Sequence, residues 1–374
     1  MNKTSHTFFA SLARDLESAL SDPAAFIVTS PPYPLISMWD ATFAAQSQKA
    51  ADALRSEQGE RAFAAMHEVL DEVWAACWDS LLDGGVLCVN IGDTVRTIGG
   101  VFRLYSNYAR IVASLERLGF TLLPSIVWRK PANSPTKFMG SGMLPGGAYV
   151  TLEHEHVVIA RKGAPRRPHN ESDRLRRRRS AIFWEERNEW YSDLWLLRGV
   201  RQPLAAGRTP RSRPSTGAAN RDGESRPQEF VHARERSAAY PLELAYRLIA
   251  MHSWAEDLVL DPFAGTGTTA AAAMALGRSS LSVDCDSQVL RHAYEWIESP
   301  SFVPELRARA ESRLANHTAF VEKREKPFRH HNHHYDVPVV TSQETDLVVP
   351  VITEVARRAP GDASSGAVFT CGYE

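Results

Sequence analysis

Four cysteines in 374 residues (Cys77, Cys88, Cys285, Cys371) are scattered without a CxxC pair or regular spacing. That excludes a disulfide framework and gives no sign of a structural zinc site, and a reduced cytoplasmic setting fits best. No run of 18 apolar residues occurs, and the first twenty residues lack the basic-then-apolar order of a signal peptide, so neither a membrane span nor export is expected. Net charge is also nearly absent, at −1, so any polyanionic partner has to be sought in the local distribution of charge. The 44% of hydrophobic residues is enough for a substantial core and rules out a disordered chain.

Against that background two short segments stand out. The apolar run Phe26-Ile27-Val28 ends in Ser30-Pro31-Pro32-Tyr33, which reads as a buried strand opening into a rigid loop. This loop suits an exocyclic amine. The amino nitrogen of cytosine or adenine is a poor nucleophile because its lone pair is delocalised into the ring. Two acceptors, the Ser30 hydroxyl and the Pro31 carbonyl, can take its two hydrogens and localise that pair. Prolines fix the backbone and remove competing donors. Tyr33 can stack on a base, which must leave the duplex to be reached. No Gly-x-Ser-x-Gly turn surrounds Ser30, which argues against a hydrolase nucleophile.

The second segment lies some 230 residues later. Leu258-Val259-Leu260 predicts a strand that ends in Asp261-Pro262-Phe263-Ala264-Gly265-Thr266-Gly267-Thr268-Thr269, and an alanine-rich helix continues from Thr268 to Leu276. Gly265 and Gly267 allow a tight turn and close approach to a ligand, and the amides at the helix start suit an anionic group. Ser280 to Val283 predicts the next strand, ending at Asp284, where a carboxylate can accept from two ribose hydroxyls. Taken alone, Gly265-x-Gly267-x-x-Ala270 with Asp284 also satisfies the dinucleotide fingerprint, so a nicotinamide-dependent oxidoreductase is a competing reading. A third is a DNA-binding protein without enzymatic activity. The oxidoreductase reading does not explain Ser-Pro-Pro-Tyr.

Between the two, helical spacing predicts a helix over 59–82, a turn at Leu82-Asp83-Gly84-Gly85, a strand over 86–91, a helix over 104–118 stopped by Gly119, and strands over 121–130 and 157–160. The fold class expected is α/β, a Rossmann-like, mostly parallel sheet with helices on both faces.

The first motif resembles the catalytic motif of the beta-class, circularly permuted DNA amino-methyltransferases, in which the amine seat precedes the cofactor loop. Asp83 to Val89, Ile126 to Pro131 and Glu155-His156-Val157-Val158-Ile159-Ala160-Arg161-Lys162 resemble its later strands. Ser192-Asp193-Leu194-Trp195 and Ala239-Tyr240-Pro241 resemble the segments leading into the cofactor loop. The resemblance implies S-adenosyl-L-methionine as cofactor. It places Tyr240 and Pro241 at the methionine end, Asp261, Phe263, Gly265, Gly267 and Thr268 around it, and Asp284 on the ribose. The serine form of the motif implies cytosine N4 as the methylated atom. Adenine N6 is the alternative, and RNA a further substrate. Double-stranded DNA is the implied partner, with a cognate restriction endonuclease and a homodimer compatible with the resemblance.

Residues 161–236 hold nineteen Lys and Arg against ten Asp and Glu. Arg174, the run Arg176, Arg177, Arg178 and Arg179, an aromatic cluster (Phe183, Trp184, Trp190, Tyr191, Trp195) and a Gly/Pro/Ser-rich stretch at 205–227 read as a nucleic-acid-facing insertion; a solvated flexible loop is the alternative. The division expected is therefore 1–165 for the catalytic half, 166–236 for the basic insertion, 237–300 for the cofactor half and 301–374 for a C-terminal extension without an assigned role. Within that extension Arg329-His330-His331-Asn332-His333-His334 reads as a solvated basic loop rather than a metal site.

Overall fold

The computed structural model describes residues 3–130, 139–140, 144–199, 240–358 and 366–374. The stretch at 205–227 and the residues 236–239 that precede Tyr240 lie outside them. Ten strands form one mixed sheet: β1 (Thr4–Ala10), β2 (Ala24–Thr29), β3 (Leu81–Ile91), β6 (Thr121–Arg129), β9 (His154–Arg161), β10 (Leu194–Leu196), β11 (Leu258–Asp261), β12 (Ser279–Asp284), β15 (Ile352–Arg357) and β16 (Ala367–Tyr373). Two-strand ribbons are β4 (Thr94–Ile98) with β5 (Val101–Tyr105), β7 (Met139–Gly140) with β8 (Ala148–Tyr149), and β13 (His330–Asn332) with β14 (Val337–Val339).

The sheet order is β10-β6-β9-β3-β2-β11-β12-β1-β16-β15. Its central run β3-β2-β11-β12-β1 is parallel throughout. Strand β9 runs antiparallel to both β3 and β6, and β16 runs antiparallel to β1. The α/β architecture with helices on both faces agrees with the sequence.

All six residues of β2 are buried, because the strand is covered on both sides. Phe26 and Val28 face one core and Ile27 the other, the period-2 alternation of a strand between two helical layers. One layer holds α7 (Leu242–His252), α8 (Thr268–Ala275), α9 (Ser287–Ile297) and part of α10 (Phe302–Lys323). Every residue of α8 is buried, so its alanines let the helix lie close to the sheet. The opposite layer is led by α3 (Gly59–Ser80), whose Met66, Leu70, Trp74 and Cys77 recur at helical spacing and are fully buried, together with α1 (Asp40–Gln46), α2 (Gln48–Arg55) and α4 (Asn107–Arg117).

Several local expectations change. The turn over 82–85 is absorbed into β3, which starts at Leu81. Gly84 has a φ of +82°, and the pairing with β2 shifts register between Ala24 and Phe26, so the glycines make a bulge. The helix expected from Leu104 starts at Asn107, because 94–105 form a hairpin with an exposed second strand, whose alternation carries no helical signal.

The expected basic insertion is partly integral to the domain. It contains α5 (Glu171–Arg179) and α6 (Trp184–Trp190), β10 pairs with β6, and Trp190 and Trp195 are buried in the main core. Phe183 packs with Ala310, Val339, Leu347 and Val349 from the C-terminal part. The histidine run is likewise no simple loop: His330 and His331 lie on β13, and buried Asn332 ties the ribbon to the Glu344 and Leu347 carbonyls. Among the described residues no helix is long and apolar enough to cross a membrane.

Candidate active site

The two sequence motifs meet at the C-terminal edge of β2 and β11. These strands are neighbours, so Thr29 and Asp261, 232 positions apart, end side by side. Asp261 is 1% exposed and its carboxylate accepts four hydrogen bonds. Thr29 Oγ1 donates at 2.6 Å, Tyr240 Oη at 3.1 Å, the Phe263 amide at 3.0 Å, and Thr269 Oγ1 in a short contact. Burial nevertheless holds its acidity weaker than that of an ordinary aspartate, because the charged form has lost water on every side. This one carboxylate joins the strand that carries Ser30 to the turn that carries the glycines.

Above it opens a cavity enclosing about 1150 Å³ of space not filled by atoms, its solvent-open mouth included. Ser30, Pro32, Tyr240, Phe263, Gly265, Thr268 and Asp284 from the sequence reading line it. Gly265 has a φ of +52°, and a Cβ placed there would meet nothing within 4 Å, so the glycine faces open space. Its amide donates to Asp284 Oδ2 at 2.9 Å, and the Asp286 amide donates to Oδ1 at 2.9 Å, which fixes the carboxylate at the end of β12. Gly267, at a φ of +83°, caps α8 and packs against Ala293. Asp261 and Gly267 thus support the cavity from below. Pro241 caps α7 beside Tyr240. The far wall, from Trp39, Phe43, Val69 and Val73, is apolar and was not singled out in the sequence, since each residue reads as ordinary helix core.

Beside the cavity the seat rests on a polar cluster. Tyr33, 9% exposed, donates to Glu155 Oε2 at 2.8 Å and accepts from Ser30 Oγ at 3.2 Å. Asn90, 2% exposed at the end of β3, donates from Nδ2 to Tyr33 Oη at 2.9 Å and to Glu155 Oε2 at 2.7 Å. Its Oδ1 is a buried acceptor with no hydrogen-bond partner among the described residues. Lys130 pairs with Glu155 Oε1 and lies 4.3 Å from the centre of the Trp128 ring. Sequence reasoning gave Asn90 and Glu155 only as parts of strands; the signal available was a polar residue at each catalytic-edge end of two otherwise apolar runs.

The arginine run does not join this site. Arg176 donates to the Ala255 carbonyl at 2.9 Å and to Asp257 Oδ1 at 2.7 Å, and Asp257 is 4% exposed and also holds Arg166. The expectation that Arg176 faces nucleic acid is therefore corrected: its charge is committed to a buried carboxylate. Arg177 and Arg178 line a cleft with Gly84, Arg161 and Trp254, at the edge where β3 begins and β9 ends, the opposite edge from Ser30. The Arg179 carbonyl accepts from the Val348 amide, so this helix docks on the C-terminal segment.

A DNA methylase family model matches residues 24–295, a span that includes both motifs. The chain is 40% identical over 350 residues to the Type II methyltransferase M.MthZI of Methanothermobacter thermautotrophicus, covering 92% of this chain and 90% of that protein. It is 37% identical over 297 residues to the Type II methyltransferase M.MjaI of Methanocaldococcus jannaschii, covering 76% and 89%. Among solved structures, one from Thermus thermophilus, described as a candidate DNA modification methylase and complexed with S-adenosyl-L-methionine, superposes with a TM-score of 0.54 at 25% identity, covering 80% of this chain and 96% of that one. With its seat and its glycine turn joined through Asp261 inside the matched span, the chain belongs to the DNA methylase family.

Proposed function

We propose that the protein methylates the exocyclic N4 of cytosine in double-stranded DNA at a specific sequence, using S-adenosyl-L-methionine, and that it is of the permuted beta class. The observation that carries this reading is the Thr29–Asp261 bond, which sets Ser30 on the rim of the cavity built by the glycine turn. The cavity's donor set fits the cofactor. A carboxylate fixed by two amides stands where a ribose diol would be held, Gly265 leaves room for close approach, and apolar side chains from α3 can cover an adenine. Tyr240, Phe263 and Thr268 would line the methionine end, with Asp261, Gly267 and Pro241 holding them in place. When bound, the cofactor supplies a methyl group activated by its sulfonium.

The chain's own residues then prepare the nitrogen. Ser30 Oγ and the Pro31 carbonyl accept the two amine hydrogens of an extruded base and aim its lone pair into the cavity, and Pro31 and Pro32 offer no amide hydrogens to compete. Positioning of this kind converts an encounter into an in-line transfer without a covalent enzyme intermediate.

The serine in the motif favours cytosine over adenine, and the family includes methylases of both amines. The Type II naming of the relatives supports a restriction–modification setting. Incubation of unmethylated duplex with the protein and cofactor, followed by mass analysis of the nucleosides, tests the reading. N4-methylcytosine is expected; N6-methyladenine would move the assignment to the other base, and an unmodified duplex would refute it. RNA in a parallel incubation should stay unmodified.

A further inference from the structure

Resting on the amine-seat reading above, the geometry points to Glu155 as a positioning residue that fixes the direction of the Ser30 hydrogen bond through Tyr33, so that the serine presents lone pairs to the substrate amine. A serine hydroxyl has one hydrogen to give and can accept two. To receive an amine hydrogen reliably it must direct its own hydrogen elsewhere, and a hydroxyl free to rotate would do so only part of the time. Here the outlet is Tyr33 Oη, 3.2 Å away. A tyrosine hydroxyl also has a single hydrogen, and this one goes to Glu155 Oε2 at 2.8 Å.

The order cannot reverse while the carboxylate is ionised, because an ionised carboxylate only accepts. Burial and the neighbouring charge of Glu155 raise the Tyr33 phenol well above its ordinary range, so Tyr33 keeps the hydrogen it must donate. Asn90 Nδ2 adds donors to Tyr33 Oη and Glu155 Oε2 from a third side and stands 3.5 Å from Ser30 Oγ, so Tyr33 accepts from Ser30 and Asn90 and donates only to Glu155, while Ser30 keeps at least one lone pair for the amine. Lys130 holds the other carboxylate oxygen and anchors the charge. The line from Lys130 through Glu155 and Tyr33 to Ser30 therefore has one polarity.

Glu155→Gln tests this at nearly constant volume. Lys130 would claim the new carbonyl, so the amide would face Tyr33 and Asn90 as a donor and undo the order. Methyl transfer measured in a single turnover, with protein, cofactor and DNA saturating, is expected to slow about tenfold in E155Q and about tenfold in Tyr33→Phe, the worth of one hydrogen bond, while cofactor affinity barely changes; the urea midpoint falls in both, because each variant strips a buried partner from the cluster. The Y33F/E155Q double variant should be no slower than Y33F alone, because without the phenol hydroxyl Glu155 has nothing to orient.

A merely structural Glu155 would instead give losses that multiply. Multiplying losses, or an E155Q rate equal to that of the unchanged chain, would overturn the inference. If E155Q does not fold, Y33F alone must show the slowed transfer at unchanged cofactor affinity, and an unslowed Y33F overturns it. The parent reading is separable: loss of transfer in Ser30→Ala alongside an unaffected E155Q leaves the methylation proposal standing, whereas no transfer by the unchanged chain removes both.

Discussion

Replacing Asp261 by asparagine isolates the joint between the two halves of the site. The carboxylate takes two donors on each oxygen: Thr29 and the Phe263 amide on Oδ1, Tyr240 and Thr269 on Oδ2. An asparagine can keep one oxygen for one pair and turns a donor towards the other. Two bonds to a charged acceptor are then lost, about 4 kcal/mol at roughly 2 kcal/mol each. Part is returned, because the isolated charge was itself disfavoured by burial, as its weakened acidity shows. The net expectation for D261N is a loss of about 2 kcal/mol in folding stability, read as a lower urea midpoint at unchanged m-value. Cofactor affinity, measured by titration calorimetry, should fall about tenfold as the Phe263–Gly267 turn loosens. A D261N protein with the parental midpoint and the parental cofactor affinity would refute the claim that this carboxylate couples the seat to the turn.

The two glycines of the turn should separate strain from obstruction. Gly267→Ala would bring a Cβ to 3.0 Å from that of Ala293 at a φ of +83°, costing about 1–2 kcal/mol in a denaturation assay, whereas Gly265→Ala, with open space ahead, should cost about 1 kcal/mol and weaken cofactor binding more than stability. Asp257→Ala would strand Arg166 and Arg176 and the Trp254 amide around an empty site, so a loss of about 3–5 kcal/mol is expected by urea unfolding, and a loss under 1 kcal/mol would contradict the structural role given to Arg176. His6 and His67 are buried with pKa values lowered by desolvation from 6.5 to about 3 and about 4. Below pH 6.5 the unfolded chain therefore binds protons that the folded chain refuses, and stability should fall by about 1.4 kcal/mol per pH unit for each, until about pH 4 for His67 and about pH 3 for His6. Urea midpoints at pH 7.5 and pH 5 measure this, and in a His67→Gln variant the slope should be shallower.

Most of the fold was legible because its signals are local. The apolar runs at 26–28, 86–91 and 258–260 are strands buried on both faces, and the glycine turn and the amine motif each sit at a strand end, where the structure has them. Direction was not legible. Val157 to Ala160 has the composition of a buried strand whichever way it runs, so its antiparallel placement, and with it the arrival of Glu155 beside Tyr33, depends on tertiary pairing alone. The arginines misled for a related reason: a run of cations reads as a solvent-facing patch, and only the fold reveals that Asp257, 81 residues later, draws Arg176 inward. The two C-terminal strands of the sheet carry little signal in the sequence, because β15 is largely exposed and β16 is held by its pairing with β1.

The reversed strand also holds the seat together. β6 finishes and β9 starts at the rim that carries the serine, and the ladder between them sets Lys130 against Glu155. A register slip between these two strands would part that pair while leaving the Thr29–Asp261 joint untouched.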